Sequence, residues 1–439
     1  MAEYLLPWLA IFFFLIGIGL ASVSQPFAYS ISGVVDGFIN SYGYIAPAVI
    51  FLILTPTLIK LFRLSDSSGR QFAYQTLRWF VGARIVACSY AVLFTTLLFG
   101  FPWFSTSTGI DIAIRDSLRS LGWMVTHSVY FYAVYLSILT CIIAVRFDKI
   151  SAFLSKGVNL IEFLGRFIVP LVPLFMLGIG AYITILPEIL PQELGTEATN
   201  AHLTTVKMFG FPIDISTSWG MIKLYVLGAL ATGVACSIWH AGLIVIAKIR
   251  MPSFSLHDYF TKYYVRIYPL LWATSSEALS TPFNLYLVKT IFPQIRAEVR
   301  QFVVGTGSIL NINGTMINVF LMTGMVSAML GVELSFFQLL LSLPIIIIIG
   351  YGVPGIPGEL VLFGGPIALS IGVAPELTPI FLSLYIGLQI GLPDSFRTAA
   401  NSTDECVTAV ILNDYGLHKS DESNQIQGDQ QNPSERFIR

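Results

Sequence analysis

The sequence predicts an all-α polytopic membrane protein, and three observations carry that prediction. Hydrophobic residues make up 55% of the 439-residue chain and charged residues only 11%, against about 25% charged in an ordinary soluble domain. Apolar runs close to the ~20 residues needed to cross a bilayer recur along the chain. They fall near 4–24, 43–62, 80–101, 121–146, 158–186 and 217–248, and a longer, more broken region follows from 255 to 414. Lys and Arg crowd every second connection, which is the pattern of a chain threaded back and forth with its basic loops on one side.

The first of these spans begins at the N-terminus. No basic n-region or small-residue cleavage site precedes it, so Tyr4–Leu20 reads as a spanning helix rather than a signal peptide. The segment after the second span holds Lys60, Arg63, Arg70, Arg78 and Arg84. The one after the fourth holds Arg146, Lys149, Lys156 and Arg166, and after the sixth come Lys248, Arg250, Lys262, Arg266, Lys289, Arg296 and Arg300. The alternate segments are poor: none in 25–42, Arg115 and Arg119 in 102–120, Lys207 alone in 187–216, and none from 301 to 396. This asymmetry predicts that both termini are cytoplasmic. The connection 187–216 reads as a mixed, exposed loop, and the polar tail from Lys419 to Arg439 as disordered, because it has too few apolar residues to offset its ordering entropy.

Net charge is −1, which gives no case for a nucleic-acid or acidic partner. Cys88, Cys141, Cys236 and Cys406 are widely spaced in apolar segments with no CxxC pair, and read as small buried hydrophobes. The five histidines, His127, His202, His240, His257 and His418, show no ligand spacing, which argues against a metal centre built on them.

The chemistry concentrates after residue 255. Asp394, Arg397, Asn401 and Glu405 follow directly on the apolar stretch Pro379–Gly391 and run into Val407–Leu412. Read as one helix through all of these, they sit at bilayer depth and fall within roughly 80° of one another. A charge at the bilayer centre costs from ~3 kcal/mol upward, so such a stripe faces a bundle interior or a wet cavity and is a ligand or ion site by default.

Three interruptions accompany the stripe. Ala273-Thr-Ser-Ser-Glu-Ala-Leu-Ser-Thr-Pro282 is a small polar cluster between apolar arms at about 255–272 and 283–292, both basic at their outer ends. The arms are too short to span, which describes a re-entrant hairpin entering from the cytoplasmic side. Asn311-Ile-Asn-Gly-Thr315 lies inside an otherwise apolar helix from about 295 to 331, and predicts an unwound stretch whose carbonyls face a cation. Gly350-Tyr-Gly-Val-Pro-Gly-Ile-Pro-Gly-Glu359 is the tip of a second hairpin spanning about 335–375, with no Lys or Arg on its flanks. One hairpin from each side, each followed by a spanning helix, predicts an inverted repeat with its site near the midplane.

In this order, a serine-rich tip, Asn-x-x-Gly-Thr, Gly-Val-Pro-Gly and Asp-x-x-Arg-Thr-x-x-Asn, the chain resembles the dicarboxylate/amino acid:cation symporters, the glutamate-transporter family. The resemblance covers about residues 5–414. It rests on motifs from 255 onward, while the first 250 residues agree in hydropathy and loop pattern. It implies eight transmembrane helices plus two re-entrant hairpins in a homotrimer, working by an elevator mechanism. The implied division is a scaffold from helices 1–2 (1–79) and helices 4–5 with their loops (102–216), and a mobile transport domain from helix 3 (80–101) and residues 217–414. The remaining 415–439 would form a cytoplasmic tail.

Carried over residue by residue, the resemblance implies that Asp394 holds a substrate ammonium and Arg397 a side-chain carboxylate. The planar fork of Arg suits a bidentate carboxylate on chemical grounds alone. Asn401, Ser275 and Ser276 would hold the α-carboxylate, with Thr315 and Gly358 lining the pocket. The Gly307 region, Asn311, Asn313, Asn401 and Glu405 match a cation site whose hard oxygen ligands suit Na⁺.

The chain also departs from the family pattern. Asn313 stands where the motif usually carries Asp, and Ile390 where sodium-coupled members often carry another Asp. Cys88, Ser89, Val92 and Leu93 occupy the third-span region where such members place Tyr, Thr and Ser ligands, and Glu405 replaces a usual Asp, with Asp404 beside it on a different face. Glu277 and Glu359 add carboxylates at the hairpin tips. Fewer bound Na⁺ are expected, with Glu277 and Glu359 as candidate proton carriers, since desolvation disfavours a charged carboxylate.

The expected function is therefore Na⁺- and/or H⁺-coupled symport of acidic amino acids in the plasma membrane. The alternatives are a C4-dicarboxylate or neutral amino acid carrier, or an anion-conducting channel on the same scaffold. Asp394 with Arg397 also fits a purely structural ion pair, and the sequons at Asn313 and Asn401 lie at membrane depth, where glycosylation does not reach. Gly350-Tyr-Gly has a superficial likeness to a potassium filter, but its Pro-Gly surroundings fit the hairpin. No GxSxG, HExxH or Cys/His pair supports an intramembrane enzyme, and no resident cofactor is expected beyond the coupling ions.

Overall fold

The computed structural model describes residues 2–33 (save 32), 67–104, 129–154, 172–198, 205–352 (save 333) and 361–414 (save 375), with a few isolated residues elsewhere. Most of the predicted second span (43–62), the 102–120 connection, the first part of the fifth span, Gly358, Glu359 and the C-terminal tail lie outside the described residues. What is described is mostly helical.

Helix α1 (Ala2–Val23) packs against α4 (Val172–Ala198). The crossing is close because Gly17 lies against the Leu177 carbonyl and Gly180 against the Phe14 carbonyl, where neither backbone leaves room for a Cβ. Small residues at a helix crossing allow this approach where lipid supplies no hydrophobic drive. Helices α2 (Ser67–Phe99) and α5 (Ser218–Arg250) are each 33 residues, about 50 Å long at 1.5 Å per residue. α3 (Val129–Ala144) and α4 lie between them in sequence. Three of these helices, over Tyr74–Phe99, Pro173–Pro191 and Ser218–Arg250, are long and apolar enough to cross a membrane among the described residues.

Two expectations fail in this half. The 187–216 connection is not simply an exposed loop. Helix α4 continues to Ala198 with Pro187 and Pro191 inside it. A two-stranded antiparallel hairpin then follows, β1 (Thr205–Met208) with β2 (Phe211–Asp214), a short β element in an otherwise mostly helical structure. Phe209 and Gly210 both have positive φ, 52° and 79°, as a tight two-residue hairpin turn requires. The Phe209 amide donates to the Leu98 carbonyl at 2.6 Å, which ties the turn to the end of α2. The third span begins at Ser67 rather than near 80, so Arg70, Arg78 and Arg84 stand on a helix and not in a basic loop. Arg84 is fully buried.

The C-terminal half is a nest of broken helices. A short α6 (Leu256–Asp258), a π-helical stretch (Tyr259–Tyr264) and α7 (Val265–Thr274) run to Ser275, whose φ of 46° is left-handed. α8 (Glu277–Ile291) returns from there. Of the polar cluster 273–282, only Ser275 and Ser276 lie outside helix. α9 (Ala297–Leu310) and α10 (Asn313–Met329) are separated by Asn311 and Ile312 alone, so the predicted unwinding is two residues long. α11 (Phe336–Leu341), opened by a Ser335–Gln338 capping box, and α12 (Leu343–Ile349) lead through a 3-10 turn (Gly350–Gly352) toward α13 (Val361–Ser370).

The stripe helix is also shorter than expected. The run 379–412 is not one helix: α14 (Thr378–Gln389) ends, Ile390 is extended, Gly391 takes φ 93°, and α15 runs Leu392–Leu412. Tyr225 of α5 closes this break. Its hydroxyl donates to the Ile390 carbonyl at 2.9 Å and accepts from the Leu392 amide at 3.0 Å. A Cβ on Gly391 would meet that hydroxyl at 2.5 Å. α10 and α15 are buried almost all round, and lie at the centre of the nest.

Tyr225→Phe removes one oxygen that satisfies both backbone groups at the α14–α15 break. The expected cost is about 1–3 kcal/mol, that of stranding buried polar groups, read as a lower midpoint of thermal unfolding in detergent. An unchanged midpoint would show that the break is held by other contacts.

Candidate functional site

Four side chains of α15, one per turn, face the tip of the first hairpin and the α9–α10 break. Asp394, Arg397, Asn401 and Glu405 are each at most 1% exposed. Their surroundings come from separate stretches of chain: Ser275, Ser276 and Glu277 from the α7–α8 turn, and Asn311, Asn313 and Thr315 from the α9–α10 break. All of these are buried too.

The Arg397 guanidinium pairs with Asp394, Nε lying 2.6 Å from Oδ1 and Nη2 facing the same oxygen. Nη1 donates to Thr315 Oγ1 at 2.7 Å and lies 3.9 Å from Glu277 Oε1. Asn401 is the hub of the cluster. Its Nδ2 donates to Glu277 Oε1 and to Thr315 Oγ1, both at 2.7 Å. Its Oδ1 accepts from the backbone amides of Gly314 and Thr315 at 2.6 and 3.2 Å, the first turn of α10. Those amides have no intrahelical acceptor, so the break itself creates the donors that hold Asn401. Ser275 Oγ lies 3.2 Å from Ser395 Oγ, which joins the hairpin tip to the start of α15.

The residues expected to hold a cation lie one turn further along. Asn311 Nδ2 donates to the Asn401 carbonyl at 3.1 Å and Asn311 Oδ1 accepts from Asn313 Nδ2 at 2.9 Å. Gly307 accepts the Asn311 amide at 2.7 Å and lies against Glu405, where a Cβ would come within 2.7 Å of Oε1. Glu405 Oε2 accepts from Asn284 Nδ2 at 2.8 Å, while Oε1 is buried without a partner among the described residues. A carboxylate oxygen buried without a partner among the described residues, against the Gly307 backbone, is a hard oxygen of the kind that suits a hard cation. Among the described residues no group of three His, Cys, Asp or Glu offers a site for a transition metal.

The third-span positions do not join this cluster. Ser89 Oγ donates to the Ile85 carbonyl of its own helix, Val92 is buried among apolar residues, and Leu93 is exposed. Cys88 and the other three cysteines are buried and free. The cavity of about 890 Å³ between α2 and α5 is lined mainly by apolar and aromatic groups such as Trp79, Val86, Tyr90 and Ile246. The polar site is the tightly bonded cluster and not this roomier groove.

Sequence reasoning missed several polar groups. Asn284, alone in an apolar arm, orients Glu405 and accepts from the Tyr263 hydroxyl at 2.7 Å. Asp404 is held by Trp239 Nε1 at 2.9 Å and His240 Nδ1 at 2.5 Å, and His240 Nε2 meets the Tyr259 hydroxyl at 2.7 Å. His240 and Asp404 are 164 residues apart, so no local spacing announces the pair. Gln389 is buried at the end of α14 with neither amide atom partnered among the described residues.

Residues 203–415 match the Sodium:dicarboxylate symporter family, which supports the resemblance of the chain to the dicarboxylate/amino acid:cation symporters. No curated protein matches the chain. Members of the family are integral membrane proteins and transporters rather than enzymes, coupling sodium to dicarboxylate or amino acid symport in general.

Gly314 sets the approach of α10 to α15: a Cβ there would lie 2.6 Å from the Arg397 carbonyl and 2.9 Å from Asn401 Oδ1. Gly314→Ala should push the helices apart at a cost of about 1–3 kcal/mol, as overpacking does. Substrate-induced thermal stabilisation should be lost with it. A variant that melts and responds to ligand like wild type would contradict this packing.

Proposed function

We propose that the protein is a secondary-active symporter of acidic amino acids, driven by Na⁺ and/or H⁺, and that Asp394, Arg397, Asn401, Ser275, Ser276, Thr315 and Gly358 form its substrate pocket. The single observation that carries this reading is the charge count of the cluster: one guanidinium, Arg397, against the buried carboxyls of Asp394, Glu277 and Glu405. Buried charge without compensation is costly. A substrate ammonium, a monovalent cation or a proton each offsets it, which is the thermodynamic basis of coupling cargo to ions.

Arg397 takes the substrate's side-chain carboxylate, exchanging its internal partners for the ligand. Asp394 takes the ammonium, and for that reason disfavours a plain dicarboxylate, since two like charges in a low-dielectric pocket repel. The cation site is Gly307, Asn311, Asn313, Asn401 and Glu405, with Glu277 and Glu359 as proton carriers. Eight spans, two re-entrant hairpins, a homotrimer and cytoplasmic termini complete the architecture. The elevator motion carries helix 3 and residues 217–414 past the scaffold.

Counterflow in proteoliposomes with varied Na⁺ and pH tests the reading directly. Aspartate or glutamate should exchange, and succinate or malate should compete weakly. Equal competition by succinate would remove the ammonium role from Asp394 and favour the C4-dicarboxylate alternative. Arg397→Cys should weaken acidic-substrate affinity by at least ~30-fold, as truncating one side of a buried charge pair does. Unchanged affinity would end the assignment.

Asn313 is neutral where the family motif usually carries a carboxylate, so the wild-type Na⁺ dependence of substrate affinity should be shallow. Asn313→Asp should steepen it. Wild-type binding that already rises as about the third power of Na⁺ concentration, without a pH effect, would overturn the reduced-coupling reading.

A further inference from the structure

We propose that Arg84 is a resident cation of the transport machinery, a fixed positive charge at a point where two helix C-termini converge and where a diffusible ion would otherwise be needed. The inference rests on the transport reading of the pocket and adds a coupling-determining residue to it.

Arg84 lies mid-way along α2, roughly 25 Å from its start at 1.5 Å per residue. Its side chain is fully buried, so it does not reach up to the membrane surface as basic side chains near helix ends do. Its Nη2 donates to the Leu310 carbonyl at 2.7 Å and its Nη1 to the Ile347 carbonyl at 3.4 Å. Leu310 is the last residue of α9 and Ile347 lies in the last turn of α12. Both carbonyls therefore belong to helix ends, whose last carbonyls lack intrahelical partners and carry the negative pole of the dipole.

The guanidinium carbon sits 3.8 Å from the centroid of the Tyr351 ring, a cation–π arrangement just beyond α12. Among the described residues no carboxylate pairs with Arg84, and Nε is buried without an acceptor. Among the described residues the charge is thus balanced by two helix ends and an aromatic face.

That environment, backbone carbonyls from a broken helix and a half-helix C-terminus, is the one in which transporters bind their coupling cations. Here the protein supplies the charge covalently. Three stretches meet at it: α2, the break that opens into Asn311–Thr315, and the first arm of the second hairpin. Ile312 and Met316, which lead from the break into the pocket, pack with Arg84 around Gly350, whose Cβ would lie 3.3 Å from Nη1. The guanidinium ties the hairpin to the break without an ion entering.

Chemical rescue tests this. Substrate affinity is measured by counterflow for wild type, Arg84→Ala, Arg84→Gln and Arg84→Lys at one NaCl concentration that supports wild-type exchange, with guanidinium chloride or choline chloride added at constant ionic strength. Arg84→Ala should lose affinity by about tenfold without guanidinium, the weight of a charged hydrogen-bonded group. Millimolar guanidinium should restore at least part of it, and Arg84→Lys should keep most of it. Arg84→Gln, which retains bulk without charge, carries the test if the alanine variant fails to give monodisperse protein.

Wild-type affinity in both Arg84→Ala and Arg84→Gln, or a loss that guanidinium does not restore in monodisperse protein, would overturn the inference. Failure of the wild type itself to exchange any acidic substrate would instead remove the transport reading. Arg84 would then be judged by whether guanidinium raises the melting temperature of Arg84→Ala more than that of wild type.

Discussion

The constraint on which everything else depends is the burial of α15's ionisable stripe in the interior of the bundle. Asp394, Arg397, Asn401 and Glu405 can stay at that depth only if every one finds its partners inside the bundle. The structure meets this demand with backbone as much as with side chains. Asn401 is held by two amides that exist as free donors only because the α9–α10 helix is interrupted immediately before them. The break is the complement of the stripe.

The same exchange recurs wherever a helix stops short. At the α14–α15 break one tyrosine hydroxyl accepts the amide and donates to the carbonyl that the missing turn would have paired. At the first hairpin, Ser275 takes a left-handed backbone so that Glu277 can open the next helix facing Asn401. At the second, a guanidinium covers the carbonyls of two helix ends. Irregular backbone at membrane depth survives only where protein buries it. Each of these breaks is paired with one specific polar side chain from another helix.

This explains what the sequence made legible and what it hid. The stripe could be read because its spacing is a local property of one helix, and the breaks because Gly, Asn, Ser and Pro announce them within a few residues. Their lengths were overestimated, since polar composition marks where a helix weakens but not how many residues leave it. Thr274 and Glu277 stay helical although they belong to the same polar cluster as Ser275. The β1–β2 hairpin was missed because Phe209-Gly210 is an uncommon turn pair and the strands have four residues each. Pairings such as His240 with Asp404, or Arg84 with Leu310, join residues more than 160 positions apart and have no local trace.

Arg84 shows the cost of reading charge by position alone. Counted with Arg70 and Arg78, it strengthens a basic cytoplasmic segment; placed on α2, it is the most demanding group in that helix. A guanidinium keeps its charge at any accessible pH, so unlike a carboxyl it has no neutral form in which to shelter. A mid-membrane site that tolerates it must present negative potential permanently. Two helix ends do that without a titratable group, and so without coupling the tie to pH or to the occupancy of Glu405. The polar cluster behaves in the opposite way. Its carboxyls outnumber its one cation, and its charge balance changes with whatever cargo it holds. On the proposed reading, one region is thus fixed in charge and the other is variable.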